Sequence, residues 1–157
     1  MSDSSRDKTT QPPLPARPLS ASPVAPWNIT ARQVRGESDL PVETTFHYDP
    51  DDPWAVRVTF RLSLGRVVDW TFSRDLLRSG TRVLSGEGDV RLWPLRCGGR
   101  EGRVRLRLGQ AGAYAMVDVD RAGLRDWLAT TYAAVPEGEE AARIDWAAET
   151  SRLLTGP

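Results

Sequence analysis

The sequence predicts an α+β domain: a curved antiparallel sheet of about seven strands, with one short helix inserted and two helices at the C-terminus. Three observations support this fold class. Segments that alternate apolar and polar residues recur between residues 27 and 119, and such alternation is typical of half-buried strands. Most of these segments are joined by short turns, which connect antiparallel neighbours. Helical periodicity is confined to one short stretch among the strands and to the segment after residue 120.

The first half of the predicted sheet consists of four strands, at residues 27–35, 40–48, 55–64 and 67–72. The third strand has the clearest alternation. Its inward face is predicted to carry Val56, Val58, Phe60, Leu62 and Leu64, and its outward face Arg57, Thr59, Arg61 and Ser63. Gly65-Arg66 then predicts a tight hairpin turn into the fourth strand, where Val68, Trp70 and Phe72 share a face.

A short helix is predicted directly after the fourth strand. Ser73 can accept a hydrogen bond from a free N–H group of the next turn, so it is a suitable N-cap. The helix then contains Leu76 and Leu77 and ends at Gly80, since glycine commonly follows the last helical residue.

Three more strands and two helices follow. The strands are predicted at residues 89–95, 103–108 and 113–119, and Pro94 should end the first of them or confine it to a sheet edge. Asp120 can cap a helix over residues 121–135, in which Leu124, Trp127, Leu128 and Thr131 recur at helical spacing. Asp145 can cap a final short helix, in which Trp146, Leu153 and Leu154 are candidate contacts.

Residues 1–26 differ in composition from the rest of the chain. They are rich in Pro and Ser and lack periodicity, so we predict a disordered tail before a single domain at residues 27–157. The stretch PPLPARP could alternatively be a polyproline ligand for a partner. The sequence has no apolar run of the roughly 20 residues that a membrane span needs, and it has one cysteine. We therefore expect a cytoplasmic protein without a membrane span.

Chemistry-bearing residues are sparse. The single histidine, His47, lies among aspartates in FHYDPDDP, a pattern more typical of a turn than of a metal site. Cys97 lies in a glycine-rich loop with no helix N-terminus beside it to activate the thiol. The glycines of SGEGDV precede a strand, so they form neither a dinucleotide fingerprint nor a P-loop. The sequence therefore predicts no enzyme, no cofactor and no metal.

The distribution of charge leaves nucleic-acid binding open as an alternative. The net charge is zero, but residues 57–107 contain 12 Arg against 5 acidic residues. The strand RVRLRL places several arginines on one face, and single-strand binders combine such a face with stacking aromatics. The residues of this alternative site are Arg91, Arg103, Arg105 and Arg107. Zero net charge argues against it, because nonspecific binding needs long-range attraction, so nucleic acid is not the expected partner.

Several blocks, read in order, resemble one protein family. The sequence contains DPDDPWAVRVTF, then VVDWTFSRDLLRSG, then GDVRLWP, followed by a helix that ends in AAVPEG. In this order and spacing they resemble the SsgA-like sporulation and cell-division proteins of filamentous actinomycetes. The likeness covers residues 27–155. The long N-terminal tail and the loop RCGGREG depart from the family pattern, so the paralogue stays open.

The resemblance implies a fold and a function. Family members are similar to whirly single-strand nucleic-acid-binding proteins in fold, assemble as trimers and are not enzymes. They act in septation during sporulation, through protein contacts that position the tubulin-like division GTPase FtsZ or direct peptidoglycan remodelling. For this chain the resemblance implies a homotrimer that is recruited to division septa, with FtsZ or a family paralogue as partner.

Five residues are candidate partner contacts. Arg74 and Arg78 lie on the short inserted helix, where the sheet turns a corner. Aromatic residues are enriched at protein interfaces, which adds Trp93, Trp127 and Trp146. Core packing is the alternative for each tryptophan, and a purely structural corner is the alternative for the two arginines.

Overall fold

The computed structural model describes residues 23–154, and its framework is one antiparallel sheet with the strand order β4-β3-β2-β1-β7-β6-β5. The sheet curls into a half-barrel, which confirms the predicted α+β class. Its strands are β1 (Trp27–Arg35), β2 (Ser38–Tyr48), β3 (Ala55–Arg61), β4 (Val67–Ser73), β5 (Val90–Pro94), β6 (Arg103–Gln110) and β7 (Ala113–Asp120). The helices are α1 (Arg74–Gly80), α2 (Arg121–Ala134) and α3 (Trp146–Leu154), with short 3-10 turns at Ser63–Gly65 and Glu140–Arg143.

The two ends of the half-barrel carry different elements because of the way in which the strands are connected. The hairpins β1–β2, β3–β4 and β6–β7 turn at one end, which we call the hairpin end. β4 leads directly into α1 and β7 into α2, so both helices begin at the opposite end, which we call the helix end. The predicted tail, residues 1–26, lies largely outside the described residues. Within its described part, Val24 packs against the core and Ala25 accepts a hydrogen bond from Trp127.

The core lies between the concave face of the sheet and α2. α2 contributes Leu124, Trp127 and Leu128, and the Trp127 ring lies 5.7 Å from that of Phe46. A fully buried leucine contributes roughly 1.5–3 kcal/mol relative to an exposed one. The helical spacing puts these three residues on one side of α2, and their burial holds α2 against the sheet.

The β3–β4 connection differs from the prediction. β3 ends at Arg61, and the N–H of Leu62 donates to the carbonyl of Arg66 at 2.7 Å. Leu64 has φ 62° and is 99% exposed, so the predicted inward position of Leu64 is wrong. The alternation breaks here because the turn needs a left-handed residue before Gly65. Thr59 lies on the outward face, as predicted, between the core residues Val58 and Phe60, but it is buried there and donates its hydroxyl to Asp69.

The helix boundaries largely follow the predicted caps. The Ser73 hydroxyl accepts from the N–H of Leu76 at 3.3 Å, and Asp120 accepts from the N–H of Gly123. Gly80, the last residue of α1, packs closely against β5. A Cβ at this position would lie only 2.5 Å from the Cβ of Leu92. Within residues 23–154, no helix has the length and apolar character needed to cross a membrane.

α3 forms as predicted, and its three candidate contact residues are exposed. Trp146 is 61% exposed, Leu153 84% and Leu154 81%. These residues recur at i, i+7 and i+8, so they form one stripe along the helix. We call these three residues the α3 stripe. It leaves a large apolar surface in contact with water.

Candidate functional site

The α1–α2 corner, predicted as a partner contact, is built around a buried arginine. Arg74 is the first residue of α1, and its backbone N–H donates to the carbonyl of Trp54 at 2.7 Å. Its side chain is 1% exposed and points back under the end of α2. There it donates to the carbonyls of Thr131 and Val135 at 3.0 and 2.8 Å. The Thr131 carbonyl lies in the last turn of α2 and also accepts from the N–H of Val135, and the Val135 carbonyl directly follows the helix, where carbonyls lack helical partners.

The same guanidinium is neutralised by a buried carboxylate. Arg74 Nη2 lies 2.7 Å from Glu140 Oε1, and Nη1 donates to the Tyr48 hydroxyl at 3.0 Å. Hydrogen bonds from the backbone N–H groups of Glu140 itself and of Gly138, together with Arg74, hold the pKa of Glu140 below its ordinary value. The hydrogen bonds and the ion pair of Arg74 therefore hold β2, α1 and α2 together. Its burial excludes the predicted partner contact at this residue.

Arg78 lies on the surface side of the same corner. It donates both Nη atoms to the Glu137 carboxylate, at 2.7 and 2.8 Å, and its guanidinium lies 4.4 Å from the centre of the Tyr132 ring. The Tyr132 hydroxyl in turn donates to Asp75. Burial and this bond to Asp75 raise the pKa of Tyr132 above its ordinary value. Arg78 is half-buried and keeps surface available to a partner.

The three candidate tryptophans lie in different environments. Trp127 is 7% exposed and donates its indole N–H to the carbonyl of Ala25 at 2.9 Å, so core packing replaces the predicted partner contact. Trp93 is half-buried on the edge strand β5, in a cleft with Leu84 and Arg91. Trp146 is exposed on α3. The structure thus leaves Trp93 and Trp146 as surface candidates.

The arginine-rich face of β6 is partly neutralised by acidic residues. Arg105 makes a two-bond ion pair with the buried Asp118, at 2.7 and 2.8 Å. Arg100, in the preceding loop, bonds Asp118 at 3.0 Å and also reaches Asp39. Asp118 therefore occupies the centre of the face that the nucleic-acid alternative would need.

The remaining arginines of that face do not form a continuous basic track. Arg103 lies opposite Asp120 in the β6–β7 register, and Arg91 lies opposite Arg107 across β5 and β6. Arg107 stacks over the Tyr114 ring at 4.5 Å. Acidic partners interrupt the basic surface, and this weakens the case for nucleic-acid binding.

The residues that were weighed for metal binding or nucleophilic chemistry lie apart. His47 is half-buried, and burial followed by the charges of Arg57 and Arg61 lowers its pKa. Cys97 is exposed in the loop before β6. In the part of the chain that the structure describes, no group of three or more His, Cys, Asp or Glu residues could hold a metal ion.

Sequence reasoning did not find an apolar cavity at the hairpin end of the half-barrel. The cavity has a volume of about 290 Å³ and lies where β3 and β4 face β6 and β7 across the curled sheet. Its walls are almost entirely apolar, with Gln33 as the polar side chain; they include Phe60, Leu62, Val68, Trp70, Leu108, Ala115 and Val117. We call this cavity, with the exposed Leu64 in the turn between its lining residues Leu62 and Val68, the apolar mouth.

Comparison with known proteins gives the family. A family model described as "Streptomyces sporulation and cell division protein, SsgA" matches residues 42–140. The chain belongs to the SsgA family. One SsgA-family relative, the sporulation-specific cell division protein SsgB of Frankia casuarinae, is 40% identical over 78% of this chain and 85% of its own length. The protein of the same name from Streptomyces coelicolor is 40% identical over 77% of this chain and 88% of its own.

Solved structures of the SsgA family share the fold. The SsgA-like sporulation-specific cell division protein of Thermobifida fusca superposes with a TM-score of 0.74, at 31% identity over 86% of this chain and 98% of that one. A structure of SsgB from a study of longitudinal cell division in Streptomyces coelicolor gives a TM-score of 0.69. It is 38% identical over 75% of this chain and 93% of that one. The half-barrel with its helix end is therefore the fold of the family.

Proposed function

We propose that the chain is a non-enzymatic adaptor in the cell division that accompanies sporulation. The observation that carries this proposal is the 40% identity, over more than three quarters of the chain, to relatives named as sporulation-specific cell division proteins. In the proposal, the chain acts at septa through protein contacts that position the FtsZ division machinery or direct peptidoglycan remodelling.

The arrangement of polar side chains supports an adaptor. The most buried charged groups, Arg74, Glu140 and Asp118, are engaged in ion pairs that hold secondary-structure elements together. A group that has to exchange protons or attack a substrate needs access to that substrate. The exposed features are instead apolar: the α3 stripe and the rim of the apolar mouth. Exposed apolar surface of this kind is typical of protein interaction sites.

The proposal includes self-association as a homotrimer, as the family resemblance implies, and recruitment from the cytoplasm to septa. Self-association would suit the adaptor role, because it presents several copies of the binding surface at the division ring. Multiple copies raise the effective affinity for a polymeric partner without any new contact.

The location of the protein during sporulation tests the proposal. A fluorescent fusion to the C-terminus or N-terminus, expressed from the native promoter, should form bands at the sites of sporulation septa as they appear. The control is the fluorescent protein alone, expressed from the same promoter, which should stay diffuse. A fusion that stays diffuse through septation, while the purified chain is folded, would overturn the proposal.

A further inference from the structure

An open groove lies between α1 and α2, on the surface side of the corner that Arg74 holds together. Its volume is about 290 Å³. The residues that line it are Arg78, Thr81, Arg82, Arg125, Leu128, Ala129 and Tyr132. None of the described lining residues is acidic, and we call this feature the α1–α2 groove. Its volume lies at the low end of the roughly 300–1,000 Å³ of small-molecule pockets, so it suits a side chain of a partner better than an enclosed cofactor.

The two helices run antiparallel along the groove, which gives it two different ends. Asp75 and Arg78 of α1 contact Tyr132, near the end of α2. Arg82 follows the end of α1, and Arg125 lies near the start of α2, so these two arginines share the other end of the groove. Arg125 and Tyr132 are seven residues apart, and this spacing puts them on the same flank of an α-helix.

The arginines at the two ends differ in their ion pairs. Arg78 is bound by the carboxylate of Glu137, at 2.7 and 2.8 Å. Arg82 and Arg125 are exposed, and neither forms an ion pair with any residue between 23 and 154. The end formed by Arg82 and Arg125 therefore keeps two positive charges that the described part of the chain leaves unpaired.

The acidic residues around the groove lie away from this end. Those on α1, on α2 and in the loop after α1 are Asp75, Glu87, Asp89 and Asp126. Asp75 is held by Tyr132 and Arg78 at the far end. The carbonyl of Asp89 accepts from the N–H of Gly109, so this loop has reached the hairpin end by Glu87 and Asp89. Asp126 follows Arg125 directly, which turns it by about 100° around α2, away from the groove.

The floor of the groove offers apolar contact and no free aromatic face. Tyr132 is the aromatic residue among the described lining, and its ring centre lies 3.9 Å from the guanidinium of Arg74 and 4.4 Å from that of Arg78. Nucleic-acid bases stack on free aromatic faces, and this ring is already covered. Ala129 is exposed on the floor, and Val83, beside Arg82, is 55% exposed. The groove therefore combines apolar surface with unpaired positive charge.

We propose that the α1–α2 groove binds an acidic segment of a protein partner, with an apolar side chain of that segment on Ala129 and carboxylates at Arg82 and Arg125. Arginine binds carboxylates through paired, charge-assisted hydrogen bonds, which give orientation as well as affinity. Opposite charge across an interface also speeds the encounter and excludes partners of the wrong sign. This inference rests on the proposed adaptor role and gives that role a surface and a partner chemistry.

Exposed positions allow variants that change the groove and leave the core alone. Arg82→Glu and Arg125→Glu each reverse one of its unpaired charges, and Arg66→Glu is the matched control at an exposed arginine of the hairpin end. Ala129→Trp fills the floor, and Ala122→Trp is its control at an exposed position about 10 Å earlier on α2. Circular dichroism shows that each variant is folded.

Fluorescence anisotropy with the purified full-length chain gives the test. The probe is a short fluorescein-labelled peptide that alternates pairs of Glu and Leu. Comparison peptides carry Lys in place of Glu or Ser in place of Leu, and an oligothymidine of the same length represents nucleic acid. We expect the wild type to bind the Glu–Leu peptide most tightly, with an affinity that falls as salt is added.

The variants should then separate the groove from the rest of the surface. Arg82→Glu and Arg125→Glu should each raise the Kd for the Glu–Leu peptide by about tenfold or more, because a like charge replaces an opposite one. Ala129→Trp should also weaken binding, by closing the floor. Arg66→Glu and Ala122→Trp should bind as the wild type does.

Three results would overturn the assignment of the groove. They are a wild-type chain that does not bind the Glu–Leu peptide, one that binds oligothymidine more tightly, and groove variants that bind the peptide as well as the wild type does. The second of these would assign the charge to nucleic acid.

The fluorescent fusion distinguishes this inference from the proposed function. A fusion that carries both Arg82→Glu and Arg125→Glu should stay diffuse, while the wild-type fusion forms bands at septa. Bands from both fusions would overturn the groove as the partner site and leave the proposed function intact. A diffuse wild-type fusion would overturn the proposed function itself.

Discussion

Arg74 and Glu140 form an ion pair of 2.7 Å that is almost completely buried, between the first residue of α1 and the turn after α2. The pair is satisfied on both sides. Arg74 also donates to Tyr48 and to two carbonyls of α2, and Glu140 accepts from the N–H of Gly138. The elements joined in this way are distant in sequence, so the pair links the sheet to its helices.

Removing one partner of this pair should destabilise the fold strongly. We expect Arg74→Ala to lower the free energy of unfolding by about 3–5 kcal/mol, because it leaves the buried Glu140 carboxylate without its cation and removes the hydrogen bonds to the Thr131 and Val135 carbonyls. Arg78→Ala is the matched control; its pair with Glu137 is solvent-exposed, so its loss should be about 1 kcal/mol or less. Urea denaturation measures both. Equal losses for the two variants would contradict the role assigned to Arg74.

The acid stability of the protein should depend on Glu140. Its pKa is lowered in the folded state, so the folded chain binds its proton less readily than the unfolded chain does. The resulting stabilisation is present above the unfolded pKa of about 4.3 and is lost as the pH falls through the lower folded value.

We therefore expect Glu140→Gln to be less stable than the wild type at neutral pH and to lose less of its stability between neutral pH and acid. Unfolding free energies measured by urea titration across this range, for both chains, give the comparison. Parallel pH profiles for the two chains would be inconsistent with a lowered pKa at Glu140.

Gly80→Ala should destabilise the fold, although alanine has the higher helix propensity, because Gly80 packs closely against Leu92. Alanine is normally favoured over glycine within a helix by up to about 1 kcal/mol. At this position the new Cβ would lie 2.5 Å from the Cβ of Leu92, so Gly80→Ala should instead cost about 1–3 kcal/mol. Ser79→Ala, at the neighbouring exposed position, loses only the exposed hydrogen bond between the Ser79 and Ser85 hydroxyls, so it should cost less than about 1 kcal/mol. A stabilised Gly80→Ala chain in thermal denaturation would rule out the close contact of α1 with β5.

The ion pairs of Asp118 on the outer face of the sheet should stabilise the fold. Asp118→Ala would leave Arg105 and Arg100 without their shared carboxylate, and we expect a loss of about 2–4 kcal/mol in unfolding free energy. Asp126→Ala, exposed on α2, should change stability by no more than about 0.5 kcal/mol. If Asp118→Ala behaved like the control in urea denaturation, the ion-pair cluster would have no structural role.

Leu64→Gly should stabilise the fold. It removes the cost of a left-handed leucine, so the unfolding free energy should rise by up to about 1 kcal/mol. Thermal denaturation of both chains measures the difference. A Leu64→Gly chain that is less stable than the wild type would contradict the cost assigned to this backbone conformation.

Much of the fold could be predicted from local sequence signals. Three such signals are found in the structure: the alternating strands, the helix caps at Ser73 and Asp120, and the end of α1 at Gly80. The predicted third strand extends three residues too far, from Arg61 to Leu64, and the predicted inward position of Leu64 is wrong. The apolar pattern continues there, but the backbone has already entered the turn.

The candidate site was much less predictable, because its contacts join distant segments. Arg74 looks like a solvated residue at a helix start, and its partners Glu140 and Val135 lie beyond α2. Asp118 has an apolar neighbour on each side in its strand, and only the register with β6 sets it against Arg105. The apolar mouth depends on the curl of the whole sheet, which no local pattern specifies.

The number of sporulation septa in hyphae that lack this chain tests the central claim most directly. The account predicts that deletion of the gene leaves septa missing or misplaced, and that the wild-type chain supplied in trans restores them. Normal septa in normal number after deletion, seen by fluorescence microscopy of stained cell walls throughout sporulation, would contradict it.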